Sequence, residues 1–148
     1  MKLNENSRPI EILLIEDNPG DQRLTREALK EGRLRNNLSI VEDGEEAIAF
    51  LKKLGDYKSV TRPDLILLDL NLPKMDGQEV LKIIKADEKL KRIPVVVLTT
   101  SSADEDIFKA YNLNANCFIT KPVDFDQFID VVKKTGEFWF TIVKLPEG

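Results

Sequence analysis

Five short apolar runs punctuate the chain: Ile12 to Ile15, Leu38 to Val41 with a serine inside, Leu65 to Leu68, Val95 to Leu98, and Cys117 to Ile119. The first, third and fourth are nearly continuous Ile, Leu and Val, the pattern of strands covered on both faces in a parallel sheet. Between the runs the period lengthens to that of helices. Ala47, Phe50, Leu51 and Leu54 recur at i, i+3, i+4 and i+7, as do Phe125, Phe128, Ile129 and Val132. Capping signals mark the helix starts, because the first N–H groups of a helix lack an internal partner and a short polar side chain can accept from them. Asn18 precedes Pro19, with Asp21 in the first turn. Asp43, Asp76, Ser102 and Asp124 are followed three residues on by Glu46, Glu79, Glu105 and Gln127, the spacing of a capping box. The pattern predicts five strands alternating with five helices. Such a series requires right-handed crossovers onto a parallel sheet with helices on both faces, a three-layer α/β domain. Lys53 to Arg62 is the expected long surface loop.

Composition narrows the function more than the fold. At 148 residues, 42% hydrophobic and 32% charged, the chain suits one compact domain. Its net charge of -4 is spread over interspersed acids and bases, with no basic patch to follow a phosphate backbone, so no nucleic-acid partner is expected. The start MKLNENSRPIE lacks the apolar core of a signal peptide, and no apolar run approaches membrane-spanning length. A cytoplasmic protein with no membrane partner is expected. Cys117 is the single cysteine and reads as a buried, inert thiol. There is no histidine, which excludes Ser/His and Cys/His nucleophiles, histidine zinc ligands and a phosphohistidine on this chain.

The candidate chemistry lies at the strand ends. The first strand ends in Glu16 and Asp17, the third in Asp69, the fourth in Thr99 and Thr100, and the fifth in Thr120, Lys121 and Pro122. In a doubly wound sheet ligands bind beyond the carboxyl ends of the strands, so three carboxylates, a hydroxyl and an ammonium converge there. Taken singly, each carboxylate would serve as a helix cap or a solvated strand end, Lys121 as a surface lysine and Thr99 as a strand residue. Together they repel, and a hard divalent cation with oxygen ligands relieves that repulsion. Mg²⁺ is the natural candidate, leaving a position for a phosphoryl oxygen with Lys121 and Thr99 to bond it.

The stretches "LLIEDNPGD", "LILLDLNLPKMDG", "VVVLTT" and "FITKPV" occur in this order, with Thr99 30 residues after Asp69 and Lys121 22 after Thr99. On these motifs the chain resembles the receiver domains of two-component response regulators over residues 10–135. The resemblance implies a flavodoxin-like (βα)5 fold with a five-stranded parallel sheet in the order 2-1-3-4-5. It implies that Asp69 accepts a phosphoryl group from a sensor histidine kinase. It also implies that Asp17, Asp69 and the backbone carbonyl of Asn71 bind Mg²⁺, with Glu16 acting through water. Lys121 would pair with the phosphoryl group and Thr99 would swing to bond it. Phe118, where the family often has Tyr or another aromatic residue, would be the packed partner of the Thr99 switch. Lys121-Pro122 would be a cis peptide. The protein would be a phosphoacceptor rather than a classical enzyme. The "EDNPGD" start with "RLTREAL", the long loop and the short tail resemble single-domain regulators paired with cyanobacterial phytochromes, a group implied to be homodimeric.

Residues 136–148 form an apolar extension rich in Phe138, Trp139, Phe140, Ile142, Val143 and Leu145. It suits a homodimer contact beside the last helix, or a cover folded back on its own domain. Three rival functions are weaker. A Mg²⁺-dependent phosphohydrolase would want a second acid two residues after Asp69, where Asn71 stands. A non-phosphorylated interaction module would leave Asp17, Asp69, Thr99 and Lys121 without a use. A flavin carrier is compatible with the fold alone.

Overall fold

The computed structural model describes residues 9–31, 35–99 and 117–134. At its centre β1 (Ile10–Ile15) pairs in parallel with β2 (Asn36–Val41) on one side and β3 (Leu65–Asp69) on the other. Beyond β3 lie β4 (Val95–Thr99) and β5 (Cys117–Thr120), giving one five-stranded parallel sheet in the order β2-β1-β3-β4-β5. This is the flavodoxin-like order. Each strand reaches a residue or two past its apolar run, taking in Ile10, Asn36, Asp69, Thr99 and Thr120. The ladder is a backbone interaction and continues wherever the neighbour is in register, as Asp69 with Leu98 and Thr99 with Thr120. That continuation carries polar side chains onto the sheet's carboxyl edge.

Alternation along the strands divides the core in two. Ile10, Ile12, Leu14, Leu65, Leu67, Val96, Leu98 and Ile119 face α1 (Pro19–Glu31) and α4 (Phe125–Lys134), where Ala28, Leu29 and Phe128 meet them. Leu13, Ile15, Ile66, Leu68, Val95 and Val97 face α2 (Gly44–Leu51) and α3 (Gly77–Ala86), packing on Phe50, Leu51, Val80, Leu81 and Ile84. Each large aliphatic side chain fully buried this way contributes about 1.5–3 kcal/mol, which is why both faces of the central strands read as continuous apolar runs.

Four of the expected caps are hydrogen bonds in the structure. The side chains of Asn18, Asp43, Asp76 and Asp124 accept from the N–H groups of Asp21, Glu46, Glu79 and Gln127 at 2.8–2.9 Å. The helix expected after Ser102 and the apolar tail at 136–148, with its dimer contact, lie outside the described residues. The stretch expected as a loop, Lys53 to Arg62, contains a short 3-10 turn at Gly55–Tyr57. Its Tyr57 ring leans on Phe50, centroids 5.3 Å apart, and its hydroxyl donates to Glu46. No helix among the described residues is long and apolar enough to cross a membrane.

Candidate functional site

The site is built where β1, β3, β4 and β5 end. Past β1, Glu16 stays on the ladder through its N–H, which donates to Val41 O at 3.0 Å, and its side chain is fully buried. Asp17, one residue on, is exposed. Asp69 closes β3 and is 4% exposed. One carboxylate oxygen from each of Glu16, Asp17 and Asp69 lies within 4.8 Å of the others. Opposite them stands Lys121, whose backbone N–H donates to Thr99 O at 2.7 Å and whose peptide bond to Pro122 is cis. Its Nζ lies 2.7 Å from Glu16 Oε1, 3.0 Å from Asp21 Oδ2 and 3.2 Å from Asp69 Oδ2.

The other candidate residues sit around this centre. Thr99 is buried at the end of β4. By strand alternation its side chain shares a face with that of Val97, the residue in register with Phe118. Phe118 is partly buried against the core on the α2 and α3 side. Thr99 and Phe118 are therefore neighbours on one face of the sheet. Asn71 is exposed in the turn after β3, where its N–H donates to Asp69 Oδ1 at 3.2 Å.

A carboxylate at the end of an apolar strand needs its position fixed, and Gly77 fixes it. Gly77 opens α3, and its N–H donates to Leu70 O at 3.1 Å. A Cβ built on Gly77 would stand 2.6 Å from Asp69 O and 2.9 Å from Leu70 Cα. The first turn of α3 thus rests directly on the backbone of Asp69 and Leu70, an approach open only to glycine. Gly44 does the same for the turn itself, since its Cβ would fall 2.5 Å from Met75 O. Between the two glycines Lys74 takes a left-handed backbone, φ 64°, and reaches Asp43 at 3.6 Å.

The charges are unbalanced. Burial first, and then the neighbouring Asp69 carboxylate, push the Glu16 carboxyl up to about 7, with Lys121 working against both. Burial disfavours the Lys121 charge, but the carboxylates of Glu16, Asp21 and Asp69 more than offset this and hold its pKa above the ordinary lysine value. Glu16 Oε1 is a buried oxygen with no aligned hydrogen-bond donor among the described residues, its contact with Lys121 being an ion pair outside hydrogen-bond geometry. Hard oxygen donors crowded within one small space, one of them buried and without an aligned donor, fit a divalent cation of the Mg²⁺ class.

Sequence reasoning placed Asp21 only as a favourable acid in the first turn of α1. The structure brings it to Lys121, 100 positions away. The usable signal was the short link from Glu16 to Pro19, which keeps the first turn of α1 above the end of β1.

Comparison with known proteins agrees with this geometry. The chain is 47% identical over 143 residues to "Response regulator Rcp1" of Synechocystis sp., the match covering 97% of each chain. Among solved structures, the phosphorylated cyanobacterial phytochrome response regulator RcpA superposes with a TM-score of 0.73 at 50% identity, over 94% of this chain and 99% of that one. The Mn(2+)-bound form of Rcp1 superposes with a TM-score of 0.72 at 47% identity, over 94% and 100%. The pattern described as "Response regulator receiver domain" matches residues 12–133, and with nearly the whole ordered sheet inside that match the chain belongs to this family.

Proposed function

We propose that the protein accepts a phosphoryl group on Asp69 from a sensor histidine kinase, and that the kinase is a phytochrome. The observation that carries this is the placement of Asp69 Oδ2 3.2 Å from the Lys121 ammonium, inside a triad of carboxylate oxygens no more than 4.8 Å apart. An Asp69 oxygen attacks phosphorus in line. The P–N bond of the donor phosphohistidine breaks, its electron pair leaves with the imidazole, which takes up a proton, and an acyl phosphate forms. Glu16, Asp17, Asp69 and the Asn71 carbonyl would hold Mg²⁺, which when bound supplies charge neutralisation for the carboxylates and the phosphoryl oxygens. Lys121 donates to a phosphoryl oxygen, and Thr99 turns its hydroxyl to another.

Once Thr99 turns inward, Phe118 beside it on the same face gains room and the surface around β4 and β5 changes. A partner reads that population shift. In this reading the chain is a phosphoacceptor that catalyses its own phosphorylation and dephosphorylation, and not a classical enzyme. The phytochrome partner is supported by the likeness to RcpA, a phytochrome response regulator, and the divalent cation by the likeness to the Mn(2+)-bound form of Rcp1. A homodimer and a cytoplasmic location belong to the same reading.

Intact-mass measurement after incubation with Mg²⁺ and acetyl phosphate tests the proposal. One added phosphoryl group is expected in the native chain, and none in Asp69→Asn or after chelation of the metal. No gain in the native chain would overturn it.

A further inference from the structure

Lys121 is the most contested group of the site. Its ammonium has three N–H donors and no acceptor, and three carboxylates already stand within 3.2 Å of it. Its contact with Asp21 is a hydrogen bond while that with Glu16 is not aligned as one, so a phosphoryl oxygen bonded to Lys121 competes with these carboxylates for its N–H groups. The three are not alike. The Glu16 side chain is fully buried and that of Asp69 is 5% exposed, whereas that of Asp21 keeps 34% of its surface in water. A buried carboxylate that loses its cation is left without solvent, while a half-exposed one is rehydrated at little cost. Asp69 also cannot leave, since it carries the phosphoryl group itself. Asp21 is the contact that can yield.

We propose that Asp21 is a positioning residue for Lys121 that competes with the phosphoryl group: it holds the ammonium beside Asp69 before transfer and releases it to the phosphoryl oxygen afterwards. This rests on the phosphoacceptor reading of Asp69. It adds a role for a side chain that comes from a helix and not from a strand end. Charge counting gives the proposal a distinctive signature. Glu16, Asp21 and Asp69 surround one ammonium, and Asp17 stands in the same carboxylate cluster. Removing the charge of Asp21 takes one repulsion away from an incoming anion and one attraction away from an incoming cation. A divalent cation and a phosphoryl mimic must then respond in opposite directions, whereas a packing defect at the same place would weaken both.

The test uses the full chain and two calorimetric titrations, one with Mn²⁺ and one with beryllium fluoride, a phosphoryl mimic, at saturating Mg²⁺. In Asp21→Asn, Mn²⁺ binding is expected to weaken about two- to fivefold and beryllium fluoride binding to tighten about three- to tenfold, as for one charge removed near a partly solvated site. Asp21→Glu, which keeps the charge, is expected to stay within about twofold of the native chain for both ligands. A fall in both affinities in Asp21→Asn, or no change in either, would overturn the role of Asp21 while leaving the phosphoacceptor reading in place. A native chain that binds no beryllium fluoride and gains no phosphoryl group brings both down.

Discussion

The two edges of the sheet handle acidic residues in opposite ways. At the amino edge, Asp64 Oδ2 accepts from Glu11 N at 2.9 Å while Asp64 N donates to Glu11 O at 2.7 Å, and the Glu11 carboxylate takes a bond from Asn37 Nδ2 at 3.2 Å. Each acid there has its own donor, and the result is a fastening between β1, β2 and β3. At the carboxyl edge, Glu16, Asp21 and Asp69 share one ammonium, and Asp17 stands within the same cluster. The same residue types are structural where they are paired off and chemical where they are crowded. Unrelieved like charge is what a bound cation can turn into affinity.

If that contrast holds, a divalent ion should act on one edge only. Mg²⁺ at about 100 times its dissociation constant is expected to raise stability by about 2.7 kcal/mol in chemical denaturation. No gain in stability would break the comparison. Next in size is Gly77→Ala, which forces a methyl group against Asp69 O and is expected to cost about 1–3 kcal/mol. The acetyl phosphate reaction should slow in that variant under conditions where it remains folded, and an unchanged rate would show that the α3 contact does not position Asp69. At the other edge, Asp64→Ala leaves the Glu11 N–H without its carboxylate and is expected to cost about 1 kcal/mol, with Mn²⁺ affinity unchanged. A change in Mn²⁺ affinity would show that the edges are coupled.

The smallest effect concerns Tyr57, which donates to Glu46. That bond pushes the phenol up to about 12 from 10.0, with burial adding to the shift. The unfolded chain releases this proton above pH 10 while the folded chain keeps it, so stability is full below pH 10 and falls as pH rises towards about 12. Tyr57→Phe should lack this component, a difference under about 1 kcal/mol in denaturation curves that closes over that interval. A gap that does not narrow there would remove the bond from the stability of the fold.

Much of this was legible in the chain because it is local. Apolar runs and capping spacings are read over a few residues, and the bonds from Asn18, Asp43, Asp76 and Asp124 follow from them directly. The gathering of Glu16, Asp17, Asp69, Thr99 and Lys121 was legible one level up, since a parallel sheet brings every strand's carboxyl end to one side. What escaped was long-range and geometric. Asp21 already had a sufficient local reason to be in a helix's first turn, so its reach to Lys121 was hidden. Gly77 showed a glycine at a turn but not the backbone it touches, because no pattern of polarity records an absent side chain. Tyr57 lay in a stretch without periodicity, and only the fold brings it onto Phe50 and Glu46.

The contact of Gly77 with the backbone of Asp69 also sets a direction for the machine. With no side chain between them, helix and strand end cannot slide without losing van der Waals contact, so this side of the site behaves as the fixed jaw of a vice. The opposite jaw, where Asp21 can trade its cation for water, is the one able to give. In the proposed phosphorylated state, a group on Asp69 would have α3 fixed behind it and would find its give on the side of Asp21 and Lys121. A regulator built this way can keep its reactive atom still while its far surface moves.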